Sequence, residues 1–159
     1  MFDLEKLRAV GAMVARQARE KAAADPEAAN DIIDISPLLA RWRAGTMDTP
    51  VKHPFAEVVT YNGLPWHCIT AHTLSGEPGW EPDGGTALWA LYHGRDAAHA
   101  LPFKAEGHNP YNSGHWMIWT NGLRYRSNMN GNVYTPERYP ISWDGPFDAD
   151  GNLMTEASV

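Results

Sequence analysis

Aromatic side chains are the residues of this chain best suited to binding chemistry. Seven Trp, six Tyr and four Phe occur among 159 residues, and fifteen of these seventeen aromatics lie after residue 50. A ring that stays exposed on a rigid support can stack on the CH face of a sugar while polar neighbours bind the hydroxyls. Trp80 is the leading candidate, because the loop GEPGWEP offers nothing local to bury it. The predicted carbohydrate-binding residues are Trp80, Tyr61, Trp66, Trp89, Tyr134, Tyr125 and Trp119.

Metal and nucleophilic chemistry have less support in the residue pattern. His67 and Cys68 are adjacent in a predicted strand, so they point to opposite faces and cannot easily share one ion. No second Cys/His pair with zinc-finger spacing occurs. A Cys68–His72 nucleophile pair would need a strand and a loop to fold together, with a third group to orient the base. We therefore predict no metal site, and His72 is expected to orient the loop that follows it.

Three carboxylates near Trp80 raise the alternative of a glycosidase. Such an enzyme needs two carboxylates across a cleft. Glu77, Glu81 and Asp83 lie in one loop rich in turn residues, which fits solvated loop charges or acceptors for sugar hydroxyls. Because no phosphate-binding glycine motif occurs either, the sequence predicts no enzyme and no cofactor.

Two degenerate copies of one stretch position these aromatics. VTYNGLPWHC (59–68) and IWTNGLRYRS (118–127) share Asn-Gly-Leu at a constant offset, since 121 minus 62 and 125 minus 66 both give 59. Asn-Gly tolerates the positive φ of a type I′ turn, so each copy predicts a β-hairpin with its tip at Asn62-Gly63 or Asn121-Gly122. Strands are expected near 56–61, 64–70, 87–92, 115–120, 123–127 and 140–143. For Trp66, Trp89, Trp119 and Trp143 the strand patterns favour packing in the core over sugar binding.

The first copy resembles the small chitin-binding modules of carbohydrate-binding families five and twelve. The residues that carry the resemblance are Phe55, Val59, Tyr61, Gly63, Trp66, His72, Trp80, Pro82, Leu88 and Trp89. The second copy departs from the pattern: Ile118 and Thr120 stand at the Val-x-Tyr positions, Gly131 stands at the His position, and no Trp-x-Pro follows. The resemblance covers residues 53–143 and implies non-catalytic carbohydrate binding.

A helical segment precedes the aromatic part of the chain. Residues 3–24 are rich in Ala, Arg, Glu and Lys, and Asp25-Pro26 ends this pattern. Its thin apolar stripe predicts either packing on its own domain or an oligomerisation or docking helix. The stripe consists of Leu4, Leu7, Gly11, Val14 and Ala18. Ser36-Pro37 predicts the start of a second short helix, with Ser36 as its N-cap and Gly45 as the cap of its other end. Its apolar side is expected to consist of Leu38, Leu39 and Trp42. Residues 46–54 resemble a linker.

These patterns predict an α+β chain in which an N-terminal helical segment is followed by two small antiparallel β modules in tandem. Each module is expected to be three-stranded and based on a hairpin. The expected bounds are 1–48 for the helical assembly or docking segment, 53–93 and 101–143 for the carbohydrate-binding-like modules, and 144–159 for a mobile tail.

Charge and apolar patterning limit the partners. The net charge of −6 disfavours nonspecific binding to nucleic acid. No signal-peptide pattern and no bilayer-spanning apolar run are visible, so we expect synthesis in the cytoplasm and no membrane insertion.

The resemblance implies an accessory protein of a phage tail or baseplate, located in the virion, that recognises a host-surface or cell-wall glycan. The expected partners are the glycan, tail or baseplate proteins, and further copies of the chain, most simply as a trimer. The alternatives are a purely structural tail protein whose modules mediate subunit contacts and the detached binding subunit of an enzyme.

Overall fold

The computed structural model describes residues 29–84 and 87–155, together with residues 5, 6, 8–10, 13, 16 and 17. The chain divides into two compact units, Met1–Tyr92 and His93–Val159. Both are rich in short strands. The described residues near the N-terminus are helical, whereas the five residues of the predicted apolar stripe lie outside the described part. No helix within the described residues has the length and apolar character needed to cross a membrane.

The first unit contains a three-stranded and a two-stranded antiparallel sheet. Its strands are β1 (Val51–His53), β2 (Val58–Tyr61), β3 (Leu64–Cys68), β4 (His72–Leu74) and β5 (Trp89–Leu91). The sheet orders are β2-β3-β5 and β1-β4. Alternation along β2 and β3 turns Val59, Trp66 and Cys68 inward, where they are buried together with Trp89 and Leu91 of β5.

Short helical turns lead into this unit. A helix spans Ala29–Asp34, with Ile32 fully buried, and a 3₁₀-helix spans Ser36–Leu38. Both predicted caps are wrong: Ile35 rather than Ser36 is the N-cap, without a side-chain hydrogen bond, and Leu39 rather than Gly45 ends the turn. Residues 40–42 then run beside β2, since the Trp42 amide donates to the Thr60 carbonyl and the Thr60 amide donates to the Ala40 carbonyl. The end of the predicted 1–48 segment is therefore paired with the first unit rather than separate from it.

The second unit has a four-stranded sheet. Its strands are β6 (Leu101–Pro102), β7 (Trp116–Ile118), β8 (Arg124–Ser127) and β9 (Trp143–Phe147), in the order β6-β7-β8-β9. β6 pairs with β7 in parallel, so the prediction of three antiparallel strands does not describe this sheet. Pro102 has no amide hydrogen to donate, which suits its position on an edge strand. 3₁₀-helices span Ala97–His99 and Pro140–Ser142.

Two aromatic clusters form the core of the second unit. One joins Trp116 and Phe147 to Ala97 and Ala100. The other joins Tyr111, Met117 and Trp143 to the partly buried rings of Phe103, Trp119 and Tyr125.

Both predicted hairpins are present, with different turns. Tyr61 pairs with Leu64, and Asn62 and Gly63 have φ values of 51° and 74°, as a two-residue type I′ turn requires. In the second hairpin the Trp119 amide donates to the Leu123 carbonyl, and the Gly122 amide donates to the Trp119 carbonyl. Within this turn only Gly122 has a positive φ, of 81°. That pattern is a three-residue loop ending in a left-handed glycine, so the type I′ prediction is wrong there.

Strands also occupy the predicted linker and the start of the predicted tail. β1 lies within residues 46–54, where pairing with β4 encloses His53 at 2% exposure. β9 continues to Phe147, and Leu153 forms a further bridge to that residue. Both elements are held by partners distant in sequence, which local patterns do not reveal.

Candidate functional site

An open cleft of about 510 Å³ lies at the tip of the first hairpin. One side comes from the 3₁₀-turn and the segment after it, and the other from the end of β2 and its turn. Its lining residues are Pro37, Arg41, Trp42, Thr60, Tyr61, Asn62 and Gly63. The cleft therefore combines two aromatic rings with a cation, a hydroxyl and an amide.

The aromatic pair of this cleft is fixed by the backbone. The Trp42 amide bonds to the Thr60 carbonyl at 2.9 Å, which holds residue 42 beside Tyr61. The two rings meet edge to face, with centroids 5.4 Å apart and planes at 78°. Each side chain is only half-buried. The Trp42 Nε1 donor is enclosed and has no hydrogen-bond partner within the described part of the chain.

A loop carrying Trp80 lies beside the same hairpin tip. Asn62 Nδ2 donates to Asp83 Oδ2 at 3.4 Å. Burial raises the pKa of Tyr61, the charges of Asp83 and Glu81 raise it further, and the hydrogen bond with Asn62 opposes them. The Tyr61 hydroxyl therefore stays protonated and available as a donor near two carboxylates.

The Trp80 loop is anchored while its aromatic side chain stays accessible. Pro82 is fully buried, and the Gly84 amide donates to the Glu81 carbonyl at 2.9 Å. Trp80 nevertheless retains 40% exposure. The loop thus presents a large apolar ring on a held backbone, a typical feature of binding sites rather than of cores.

The structure separates the predicted site residues into buried and accessible ones. Trp66 and Trp89 are 2% and 1% exposed, so their rings belong to the core and offer no face to a ligand. Tyr61 and Trp80 remain accessible on the first unit. In the second unit Trp119 and Tyr125 are partly buried against an aromatic cluster, while Tyr134 is 41% exposed.

Trp42 is a cleft residue that sequence reasoning assigned only to the apolar side of a short helix. Its role depends on pairing between residues 40–42 and Thr60, about twenty positions later. The sequence feature that could have indicated this role is that Trp42 is the sole aromatic residue between residues 3 and 50.

A second open cleft, of about 370 Å³, lies beside a pair of imidazoles in the first unit. Its lining residues are Lys52, His53, Pro54, Ala71, His72 and Thr73. The rings of His53 and His72 are 5.1 Å apart. The two His53 nitrogens lie 2.9 Å from Glu57 Oε1 and 2.9 Å from the Arg43 carbonyl, so this imidazole connects three segments.

The Cys68–His72 pair does not have the geometry of an activated nucleophile. Cys68 Sγ lies 3.7 Å from His72 Nδ1, but Nδ1 is also 2.6 Å from the Thr70 carbonyl. A carbonyl only accepts, so Nδ1 carries its proton there and cannot take one from the thiol. Burial raises the pKa of Cys68, which is fully enclosed. Across the described residues no group of three or more His, Cys, Asp or Glu side chains could hold a metal ion.

No protein-family model matches the chain, and neither does any curated protein.

Proposed function

We propose that this chain is a non-catalytic carbohydrate-binding protein and that the cleft at the first hairpin tip, with the Trp80 loop beside it, is its glycan-binding face. The observation that carries the proposal is the half-buried Trp42–Tyr61 pair, which lines an open cleft next to an exposed tryptophan. Sugars combine CH faces with hydroxyl groups, so their sites need rings and hydrogen-bonding groups together.

The polar groups around the rings suit a neutral glycan. Tyr61 keeps its hydroxyl proton, Asp83 is an acceptor, and Asn62 offers an amide. The cleft lining includes the cation Arg41, and the carboxylates of Glu81 and Asp83 act on the Tyr61 hydroxyl. Mixed charge of this kind favours hydroxyl or acetamido groups over a strongly anionic ligand.

The architecture that we propose is an α+β chain with an N-terminal helical segment and two modules in tandem that resemble carbohydrate-binding families five and twelve. The match of ten motif residues in the first copy supports this, as does the β2-β3-β5 sheet built around the Asn62-Gly63 turn. The four-stranded second sheet departs from it and indicates that the second module has diverged.

We place this activity in an accessory protein of a phage tail or baseplate, located in the virion, where it would recognise a host-surface or cell-wall glycan. Display in several copies would raise the strength of weak sugar sites, which favours a homo-oligomer, most simply a trimer. The half-exposed Val10 and Met13 near the N-terminus support self-assembly or docking through this segment. A purely structural tail protein is the second candidate, favoured by the 71% exposed Phe55, which fits a subunit contact.

A glycan array probed with the full chain and two variants tests the proposed function. Trp80→Ala removes the exposed ring of the proposed face, whereas Phe55→Ala removes an exposed ring of the same unit that does not line the cleft. A nucleic-acid base that stacks on an aromatic side chain gains about 1–3 kcal/mol. By analogy, loss of the Trp80 ring should weaken sugar binding by roughly fivefold to a hundredfold.

We expect the array signal to fall for Trp80→Ala and to persist for Phe55→Ala, with unchanged near-UV circular dichroism in both. Equal signals for all three proteins would place glycan binding elsewhere. Unfolding of Trp80→Ala would show that this ring is structural, and no array signal for the unmodified chain would reject the function.

A further inference from the structure

The second unit exposes a compact aromatic patch between residues 133 and 141. Its two rings belong to Tyr134 and Tyr139, at 41% and 44% exposure, and their sequence neighbours Val133 and Ile141 are 41% and 74% exposed. The two tyrosine rings meet edge to face, with centroids 5.3 Å apart and planes at 68°. Neither phenol hydroxyl has a hydrogen-bond partner among the described residues. We call Tyr134 and Tyr139 the tyrosine patch.

A buried polar network holds the backbone beneath the tyrosine patch. The Tyr134 amide donates to Asn132 Oδ1 at 3.1 Å, and its carbonyl accepts from Trp143 Nε1 at 3.0 Å. The Tyr139 carbonyl accepts from Ser142 Oγ at 2.7 Å. Asn132 and Ser142 are themselves 0% and 1% exposed. Both rings therefore project from a fixed support, so little backbone ordering would be required when a ligand binds.

We propose that the tyrosine patch is a second carbohydrate-binding face, which accepts a single pyranose ring of a neutral glycan. Free phenol hydroxyls beside accessible ring surface match a ligand with CH faces and hydroxyl groups. The backbone that follows Tyr139 is also held, since Asn128 Nδ2 donates to the Ile141 carbonyl at 2.9 Å.

The size of the patch favours a sugar over a protein partner. The exposed part of two tyrosine rings is on the order of 150–200 Å². A stable protein interface buries about 800 Å² on each partner. The two rings therefore cover a sugar-sized area and only a small part of what an interface between chains needs.

The sequence repeat supports the same assignment. Tyr139 follows Trp80 by 59 residues, the offset that separates the two Asn-Gly turns. An aromatic side chain thus recurs at the offset of the two turns, although the surrounding residues differ. The ligand class rests on the proposed function, whereas the patch itself is observed independently of the first unit.

Calorimetric titration of the full chain with triacetylchitotriose tests this second face. This trisaccharide limits bridging between sites, so the stoichiometry counts faces. We expect two ligands per chain for the unmodified protein. Tyr139→Ala and Trp80→Ala should each weaken one of the two sites by roughly fivefold or more and leave the other unchanged, and the double variant should weaken both. Leu153→Ser is the matched control, because it removes an apolar side chain of the same unit that is 66% exposed and lies outside the patch, and it should keep two.

The outcomes separate the two proposals. One ligand per chain whose binding only Trp80→Ala weakens would overturn the second face and leave the first intact. No binding by any form, with no array signal, would reject both. Light scattering that shows an oligomer lost in Tyr139→Ala would make the patch a protein interface instead. Should Tyr139→Ala fail to fold, Tyr134→Ala tests the same site, since its ring shares the patch.

Discussion

Asn132 offers the sharpest test of how the second unit is held together. Its side chain is fully buried and makes four hydrogen bonds. Nδ2 donates to Ser127 Oγ at 3.2 Å and to the Ser142 carbonyl at 3.1 Å. Oδ1 accepts from the Tyr134 amide at 3.1 Å and from Ser142 Oγ at 3.4 Å. Replacing Asn132 with Ala removes all four bonds together.

The size of the effect follows from the partners that remain. The Ser142 carbonyl still accepts from the Asn128 amide, and Ser142 Oγ still donates to the Tyr139 carbonyl. Only the Tyr134 amide loses its single partner, at a cost of about 1–3 kcal/mol. The lost Nδ2 bonds add about 1 kcal/mol. We therefore expect Asn132→Ala to lower the free energy of unfolding by about 2–4 kcal/mol.

Asn112→Ala is the matched control. Asn112 Oδ1 also accepts from a backbone amide, that of Gly131 at 2.9 Å, but its side chain is exposed. Water can replace that bond, so the loss should stay below about 1 kcal/mol. Urea unfolding followed by circular dichroism measures both variants, and amide hydrogen exchange at Tyr134 reports the lost bond directly. Equal losses for the two variants would refute the reasoning.

Two further predictions concern the first hairpin and the buried histidines. Gly63→Ala should destabilise by about 1–2 kcal/mol, because φ is 74° there. Gly107→Ala, equally uncrowded but without a positive φ, should not destabilise, and urea midpoints that match would contradict this. Burial lowers the pKa of His67 to about 4 and that of His115 to about 3. Unfolded histidine binds its proton near pH 6.5, so stability is full above about pH 6.5 and falls as the pH drops towards 4. His67→Gln should flatten that fall in urea midpoints measured at several pH values, and an unchanged slope would show that His67 does not contribute to it.

Local chemistry made the hairpins predictable. Asn62-Gly63 encodes its turn in two residues, and alternation on either side placed β2 and β3 within two residues of their observed ends. The same dipeptide at Asn121-Gly122 gave the right location but the wrong turn. There the Trp119–Leu123 pairing closes a three-residue loop, and Asn121 uses its side chain to accept from the Leu123 amide.

The remaining parts depend on contacts between distant residues. β1 is three residues long and exists through its pairing with β4, about twenty positions later. Trp42 lines the cleft because its amide donates to the Thr60 carbonyl. No periodicity in residues 36–45 indicates this pairing. Composition singled out the aromatic residues as a group. Within that group, Trp66 and Trp89 lie in strand patterns and are buried, whereas Trp80 lies in a loop rich in Gly and Pro and is accessible.

A nitrogen-15 NMR titration of the full chain with triacetylchitotriose tests the central claim most directly. The seven tryptophans give separate indole signals that report on both core and cleft. We predict that the Trp80 and Trp42 indole signals shift progressively with ligand, while those of Trp66 and Trp89 stay in place. If no indole signal moves at millimolar trisaccharide, the first hairpin tip is not a face for this glycan, and the proposed site is wrong.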